Sequence, residues 1–252
     1  MVPRARQFMQ IDVFNSASTP LSGNPVAVVL SSDDLSTEQM QKFAVWTNLS
    51  ETTFILPPTN PDKADYRLRI FSTYREMKFA GHPTLGSCRA WLENGGQPKN
   101  RGEIIQECGI GLVTIKKDPS SGRLSFAATA FLRDNEMTKN ELKTVCDAMG
   151  VETDQVLTCR WVDNGPGWAG ILLKSAQDVL AMKKDHIRTS TIYNWGVVGA
   201  YEKAQEQVQS GLKGLGHTVS LDANVDDSPH FEVRAFATRI PSLEDPVTGS
   251  LK

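Results

Sequence analysis

Two short stretches of the chain repeat one arrangement of reactive side chains. Residues 79–87 read FAGHPTLGS and residues 244–250 read EDPVTGS. Each sets a polar side chain, His82 or Asp245, directly before a proline, and each runs on to Gly-Ser, as Gly86-Ser87 and Gly249-Ser250. A residue before proline is held out of the α region, and proline suits the first helical position because its missing N–H is not needed there. The spacing therefore predicts helices opening at Pro83 and Pro246, with His82 and Asp245 at the N-caps beside unpaired backbone N–H groups. Such helix ends attract anions, and two of them facing one cleft would hold a small carboxylate from both sides. Taken singly, each residue has a plainer explanation. An Asp before proline caps a helix, and a lone His in a turn is more often a structural hydrogen-bonder than a catalyst.

The repeat extends upstream of these loops. YRLRIFSTYREMKFAGHPTLGS, residues 66–87, aligns with FEVRAFATRIPSLEDPVTGS, residues 231–250, so that Arg69 matches Arg234, Phe71 matches Phe236, Thr73 matches Thr238 and Pro83 matches Pro246. The shared pattern is a strand, a loop and the start of a helix, built twice; if the two halves pack about a pseudo-twofold axis, both helix ends face one cleft.

The elements that must carry these loops are mixed. Alternation predicts strands at Ile11–Phe14, Val26–Leu30, Thr52–Leu56 and Tyr66–Phe71, with further strands near 104–106, 112–115, 124–127, 168–173, 193–201 and 231–236. Capping boxes at Ser36-Thr37-Glu38-Gln39 and Thr138-Lys139-Asn140-Glu141 predict helices over Thr37–Thr47 and up to Gly150. Helices are also predicted at Thr84–Glu93 and Ser175–Met182, and a turn at Gly23-Asn24-Pro25. The 252 residues exceed one ordinary core and suit two domains of about 100–130 residues.

Composition narrows the function classes. The 27 basic and 29 acidic residues are mixed along the chain, which gives no electrostatic reason to expect nucleic acid or an anionic membrane as partner. No apolar run approaches the roughly 18–20 residues of a membrane span, and MVPRARQFMQ lacks the apolar core of a signal peptide, so the cytosol is the expected compartment. Cys88, Cys108, Cys146 and Cys159 form no CxxC pair, and the histidines have no metal-ligand spacing, so no metal is expected. The run Gly211–Gly216 does not fit a dinucleotide fingerprint. The five tryptophans are scattered and read as core or rim.

GNPVAVV (23–29), WTNLSETTF (46–54), FAGHPTLG (79–86) and EDPVTGS (244–250) together resemble the phenazine-biosynthesis PhzF family, over a stretch from Gln10 to Ser250. The resemblance implies an α+β, diaminopimelate epimerase-like fold of two pseudo-symmetric domains, here residues 1–128 and 129–252, each a curved mixed sheet (half-barrel) wrapped around a central helix. It places the active site between the domains. Relatives run on past this point through a second central helix and closing strands, so the second domain is expected to be truncated at its C-terminus.

The same resemblance implies a cofactor-independent isomerase that moves a proton between carbons of a small, unsaturated carboxylate. Glu51 would be the general acid and base, a role that requires a carboxyl able both to give and to take a proton near neutral pH. His82 and Asp245 would assist. Gly81, Gly249 and Ser250 would offer backbone N–H groups to the substrate carboxylate, with Ser50 in the same shell. Relatives often pair as homodimers. In thiol-dependent racemases of this fold a cysteine stands in each loop, where this chain has Gly81 and Asp245, which argues against two-thiol chemistry. Relatives commonly carry Pro at Tyr74 and Lys78, so the pocket wall differs here. The alternatives are an amino-acid racemase or epimerase using Glu51 with another base, and a small-molecule-binding or interaction protein of the same fold without catalysis.

Overall fold

The structure, a computed structural model, describes residues 5–15, 20–127, 130–164, 167–183, 187, 190–213, 229–238 and 243–245. The described residues fall into two compact units, one up to Ala130 and the other from Phe131 to Asp245.

The first unit opens with β1 (Phe8–Val13) and β2 (Asn24–Val29), an antiparallel pair with Val13 opposite Asn24. Asn24 and Pro25, predicted as part of a turn, instead open β2; only Gly23 stays outside the strand. Gly23 is required there, since a Cβ would lie 2.1 Å from the Val13 carbonyl oxygen. Helix α1 (Thr37–Thr47) follows, its N-terminus closed by the Ser36/Gln39 capping box and its C-terminus by Asn48 in the left-handed region. The chain then enters β3 (Glu51–Leu56), parallel to β2, and β4 (Tyr66–Ser72), antiparallel to β3 with Glu51 opposite Ser72. A two-residue strand, β5 (Glu76–Met77), folds back on β4 and leads into helix α2 (Gly81–Glu93). Strands β6 (Glu103–Cys108), β7 (Gly111–Lys117) and β8 (Leu124–Phe126) complete an eight-stranded sheet in the order β1-β2-β3-β4-β6-β7-β8, with β5 also on β4.

Helix α2 touches β1 and β8, the opposite ends of that order, as well as β2, β3 and β4. One helix reaches both ends of a sheet only when the sheet curls around it, and this is the half-barrel. Its interior packs Val26, Val28, Ile55, Leu68, Ile70, Ile104 and Ile115 around Cys88 and Ala90 of α2. Alternation along β3 sends Phe54 and Leu56 to the other face, where α1 covers them with Met40 and Ala44. Covered on both faces, β3 is buried at every position after Glu51, Thr52 and Thr53 included.

Three features seat α2. Gly86 lies so close to the sheet that a Cβ there would come within 2.4 Å of Val26 Cγ1 and 2.9 Å of Val13 Cγ2. The hydroxyls of Thr53 on β3 and Ser87 on α2 are hydrogen-bonded at 2.8 Å. The Tyr66 hydroxyl donates to Gln106 Oε1 at 3.0 Å, and the Gln106 amide donates to Thr84 Oγ1 of α2 at 3.2 Å.

The second unit begins with α3 (Lys139–Met149), capped by the Thr138/Glu141 box and closed by Gly150 at φ 67°. Strands β9 (Val156–Trp161) and β10 (Trp168–Leu173), helix α4 (Ala176–Ala181), strand β11 (Asn194–Ala200), helix α5 (Glu202–Lys213), strand β12 (Phe231–Ala237) and strand β13 (Glu244–Asp245) follow. The sheet order is β13-β12-β11-β10-β9, with β10 and β11 parallel and the other pairs antiparallel. Trp195, Ile171, Leu173, Val197 and Phe236 form its core with Val145 and Met149 of α3 and Val179 of α4. Strand β9 and helix α5 were not predicted. Helix α5 is polar and, among its described side chains, seats Ala204 and Val208 against β11. Of the tryptophans, Trp46 stands 77% exposed on α1 and Trp195 is fully buried.

The repeat is visible in the atoms. In the first unit Arg69 donates from Nε and Nη2 to both oxygens of Glu76, at 2.7 and 2.6 Å, and its guanidinium lies 5.1 Å from the Phe71 ring centroid. In the second unit Arg234 donates to both oxygens of Glu244, at 2.7 and 3.1 Å, and lies 5.0 Å from the Phe236 centroid. In both hairpins the glutamate stands opposite the phenylalanine, Phe71 with Glu76 and Phe236 with Glu244.

Replacing Gly86 by Ala should force α2 away from Val26 and Val13 and destabilise the protein by about 1–3 kcal/mol, the usual cost of overpacking a filled interior. Urea unfolding of the two proteins measures it, as a lower midpoint at unchanged slope.

Candidate functional site

Helix α1 ends at Thr47, and Asn48 in the left-handed region turns the chain so that Ser50 and Glu51 lead straight into β3. Glu51, Thr53 and Ile55 share one face of β3, the face that meets α2. Glu51 is half-buried, with 15% of its side chain exposed. Across from it stands His82, whose Nε2 lies 3.5 Å from Glu51 Oε2. Two sheet-to-helix hydrogen bonds lie near the pair: Thr53, two residues along β3 from Glu51, bonds Ser87, and Gln106 of β6 bonds Thr84, two residues along α2 from His82.

His82 does not cap the helix. The N-cap is Ala80, at φ −154° and ψ 140°, so Gly81 is the first helical residue, His82 the second and Pro83 the third. Proline is tolerated at the third position for the same reason as at the first, because none of the first four N–H groups has an intrahelical acceptor. Gly81, without a Cβ, leaves the start of the helix open. The consequence is chemical: Ala80 has no side chain that could serve the first N–H groups, and no side-chain cap bond is made. The positive end of the helix thus lies beside Glu51 with no side-chain cap among the described residues.

His82 is 4% exposed. Burial pushes its pKa down to about 3, only partly opposed by a hydrogen bond to the Pro25 carbonyl. At neutral pH the imidazole is neutral, so its approach to Glu51 is that of a neutral ring beside a carboxyl rather than an ion pair. Its Nε2 makes no hydrogen bond among the described residues. The bond to the Pro25 carbonyl must be donated by Nδ1–H, so Nε2 of the neutral ring is an acceptor and can take a hydrogen bond, or a proton, from Glu51 when that carboxyl is protonated.

The other predicted site residues fall as follows. Gly81 stands at the first position of α2, and Ser50 is half-buried in the turn before β3 without a hydrogen bond to the described residues. Asp245 is the last residue of β13, opposite Ala235, and half-buried. Gly249, Ser250 and the helix predicted from Pro246 lie outside the described residues. Sequence reasoning missed Pro25, Thr53 and Ser87 as supports of the pair, although GNPVAVV and the Gly86-Ser87 dipeptide were already marked as motif residues. Among the described residues no cluster of three or more His, Cys, Asp or Glu could hold a metal ion, and no helix is long and apolar enough to cross a membrane.

The thiols are poorly placed as bases. Cys88 is fully buried in α2 and its pKa is pushed up to about 12 by burial, and burial lifts Cys146 to about 11. Cys108 and Cys159 are also raised by burial.

Comparison with known proteins shows the family. Residues 11–252 match the PhzC-PhzF family model, described as phenazine biosynthesis-like protein. The chain is 46% identical to an uncharacterized isomerase of Mesorhizobium japonicum over 258 residues, covering 98% of this chain and 78% of that protein. It is 33% identical to the trans-2,3-dihydro-3-hydroxyanthranilate isomerase of Pseudomonas chlororaphis over 198 residues, covering 75% of this chain and 65% of that protein, so it spans less than two thirds of that relative's length. The crystal structure of a PhzF-family phenazine biosynthesis protein from Bacillus anthracis superposes with a TM-score of 0.72 at 21% identity, covering 96% of this chain and 75% of that one.

Because the folded state holds His82 neutral down to a pKa of about 3 while the unfolded chain protonates it near 6.5, the unfolded state binds the extra proton in between. The contribution of this site to stability is intact above about pH 6.5 and is lost as the pH falls toward 3. Over that window His82→Gln should flatten the pH dependence of unfolding free energy by an amount on the order of a few kcal/mol, measured by urea unfolding at a series of pH values.

Proposed function

The chain belongs to the phenazine biosynthesis-like (PhzC-PhzF) family, and from that premise we propose that it is an isomerase that moves a proton between carbons of a small, unsaturated carboxylate, with Glu51 as the general acid and base. The observation that carries this reading is the placement of Glu51 and His82 within 3.5 Å of each other at the uncapped N-terminus of α2. A proton shift along a conjugated carboxylate needs one group that removes a proton from carbon and returns it at another, and a fixed positive potential for the charge that builds up meanwhile. Glu51 supplies the first. The helix end, with the N–H groups of Gly81 and His82, supplies the second and binds the substrate's carboxylate.

Neutral His82 holds the carboxyl of Glu51 in register with the substrate, and the Pro25 carbonyl fixes the ring. Asp245 is assigned an assisting role, as the polar residue that follows the Arg234–Glu244 clamp. The high thiol pKa values at Cys88 and Cys146 support a carboxyl-based rather than a thiol-based route.

The test starts from the compound named for the Pseudomonas relative. Incubation of the protein with trans-2,3-dihydro-3-hydroxyanthranilate in heavy water should give isomerised product carrying deuterium at carbon. Glu51→Gln should lower turnover by at least about 10²–10⁴-fold while substrate affinity changes little. Full activity in that variant would overturn the assignment of Glu51, whereas exchange in other unsaturated carboxylates but not in this compound would redirect the substrate only.

A further inference from the structure

We propose that the outer face of the first sheet carries a second anion site, for a small molecule bearing a phosphate or paired carboxylates, built on Arg67 and Lys78. Arg67 and Arg69 alternate with the buried Tyr66, Leu68 and Ile70, so both arginines point away from α2. Arg69 is fully committed to Glu76 and also donates to Thr37 Oγ1 at 2.9 Å. Among the described residues Arg67 has no such partner. Its Nε is buried and makes no hydrogen bond.

The strand register sharpens this. Parallel pairing of β4 and β6 sets Arg67 beside Glu107, the natural counter-ion. Glu107 is turned elsewhere: its two oxygens accept from the Thr59 backbone N–H and hydroxyl, each at 2.7 Å. A buried guanidinium nitrogen left without an acceptor is costly, and an incoming oxyanion would remove that cost.

Arg67 lines a cavity of about 450 Å³ together with Arg69, Glu76, Met77, Lys78 and Gly109. Its ionic lining is three cations against one carboxylate, and that carboxylate is the one Arg69 already holds. Lys78, exposed at the rim, makes no ion pair among the described residues. The rim is fixed, because Gly109 presses on the Lys78 backbone so closely that a Cβ would lie 2.7 Å from Lys78 Cα. A positive recess in a chain of net charge −2 marks a local preference rather than a general one. The planar fork of Arg67 suits two oxygens of one phosphate or carboxylate, with Lys78 as the second point charge.

Titration of the ¹⁵N-labelled protein with inorganic phosphate, and separately with citrate, at constant ionic strength tests this. Saturable shifts are expected at the amides of Lys78 and Gly109, with affinity reduced about tenfold or more in Arg67→Gln and partly restored in Arg67→Lys. Lys78→Gln, at an exposed position that leaves the fold intact, should weaken binding severalfold. Preference for phosphate or for citrate identifies the ligand source, and either supports the site. Absence of saturable shifts with both ions, shifts confined to Gly81 and Ser87, or unchanged affinity in both the Arg67→Gln and Lys78→Gln variants would overturn it.

Discussion

The seating of α2 inside its curled sheet is the constraint on which the first unit depends. A helix surrounded by strands must satisfy its polar side chains against them and come close enough to exclude water. Here Gly86 permits contact with Val13 and Val26, and the Thr53–Ser87 and Tyr66–Gln106–Thr84 hydrogen bonds fix rotation and depth. These bonds are buried, where an unmade partner costs more than a made one contributes, so they specify one position of the helix rather than add much stability. His82 inherits its position from them, and Glu51 inherits its own from the register of β3 against β4.

The electrostatics follow from the same burial. A histidine enclosed by protein loses the solvation that an imidazolium needs, and so stays neutral across the physiological range. Burial of Cys88 likewise favours the neutral form, which for a thiol means a raised pKa and removes it as a nucleophile. One enclosure therefore silences the thiol of α2 and leaves a neutral imidazole beside a carboxyl.

The two Arg–Glu clamps show which part of the internal repeat has stayed constant. Guanidinium, glutamate and phenylalanine keep the same pairing and nearly the same spacing in both hairpins. The stretch after the glutamate has not: seven positions separate Glu76 from Pro83, and two separate Glu244 from Pro246. A bidentate ion pair across a short hairpin tolerates changes in the loop beyond it, so the loops could diverge into His82 and Asp245 while the strands beneath them kept their register.

Local chemistry made much of this legible in the sequence. The capping boxes at Ser36 and Thr138, the alternation of β4 and the β-branched and aromatic residues Thr52, Thr53, Phe54 and Ile55 of β3 are short-range signals, and each produced the element it predicts. The motif residues likewise determined the family, the α+β half-barrel and the choice of Glu51 and His82 as candidates. Helix α5, the two-residue β5 and the start of α2 at Gly81 were not legible, because each depends on what packs against it rather than on its own spacing. Only the tertiary structure decided that Glu51 and His82 meet, that Pro25 holds the ring, and that Arg67 is left without the glutamate its register offers. Those are distances between groups far apart in the chain, fixed by the depth of a helix in a curved sheet, and no local pattern encodes them.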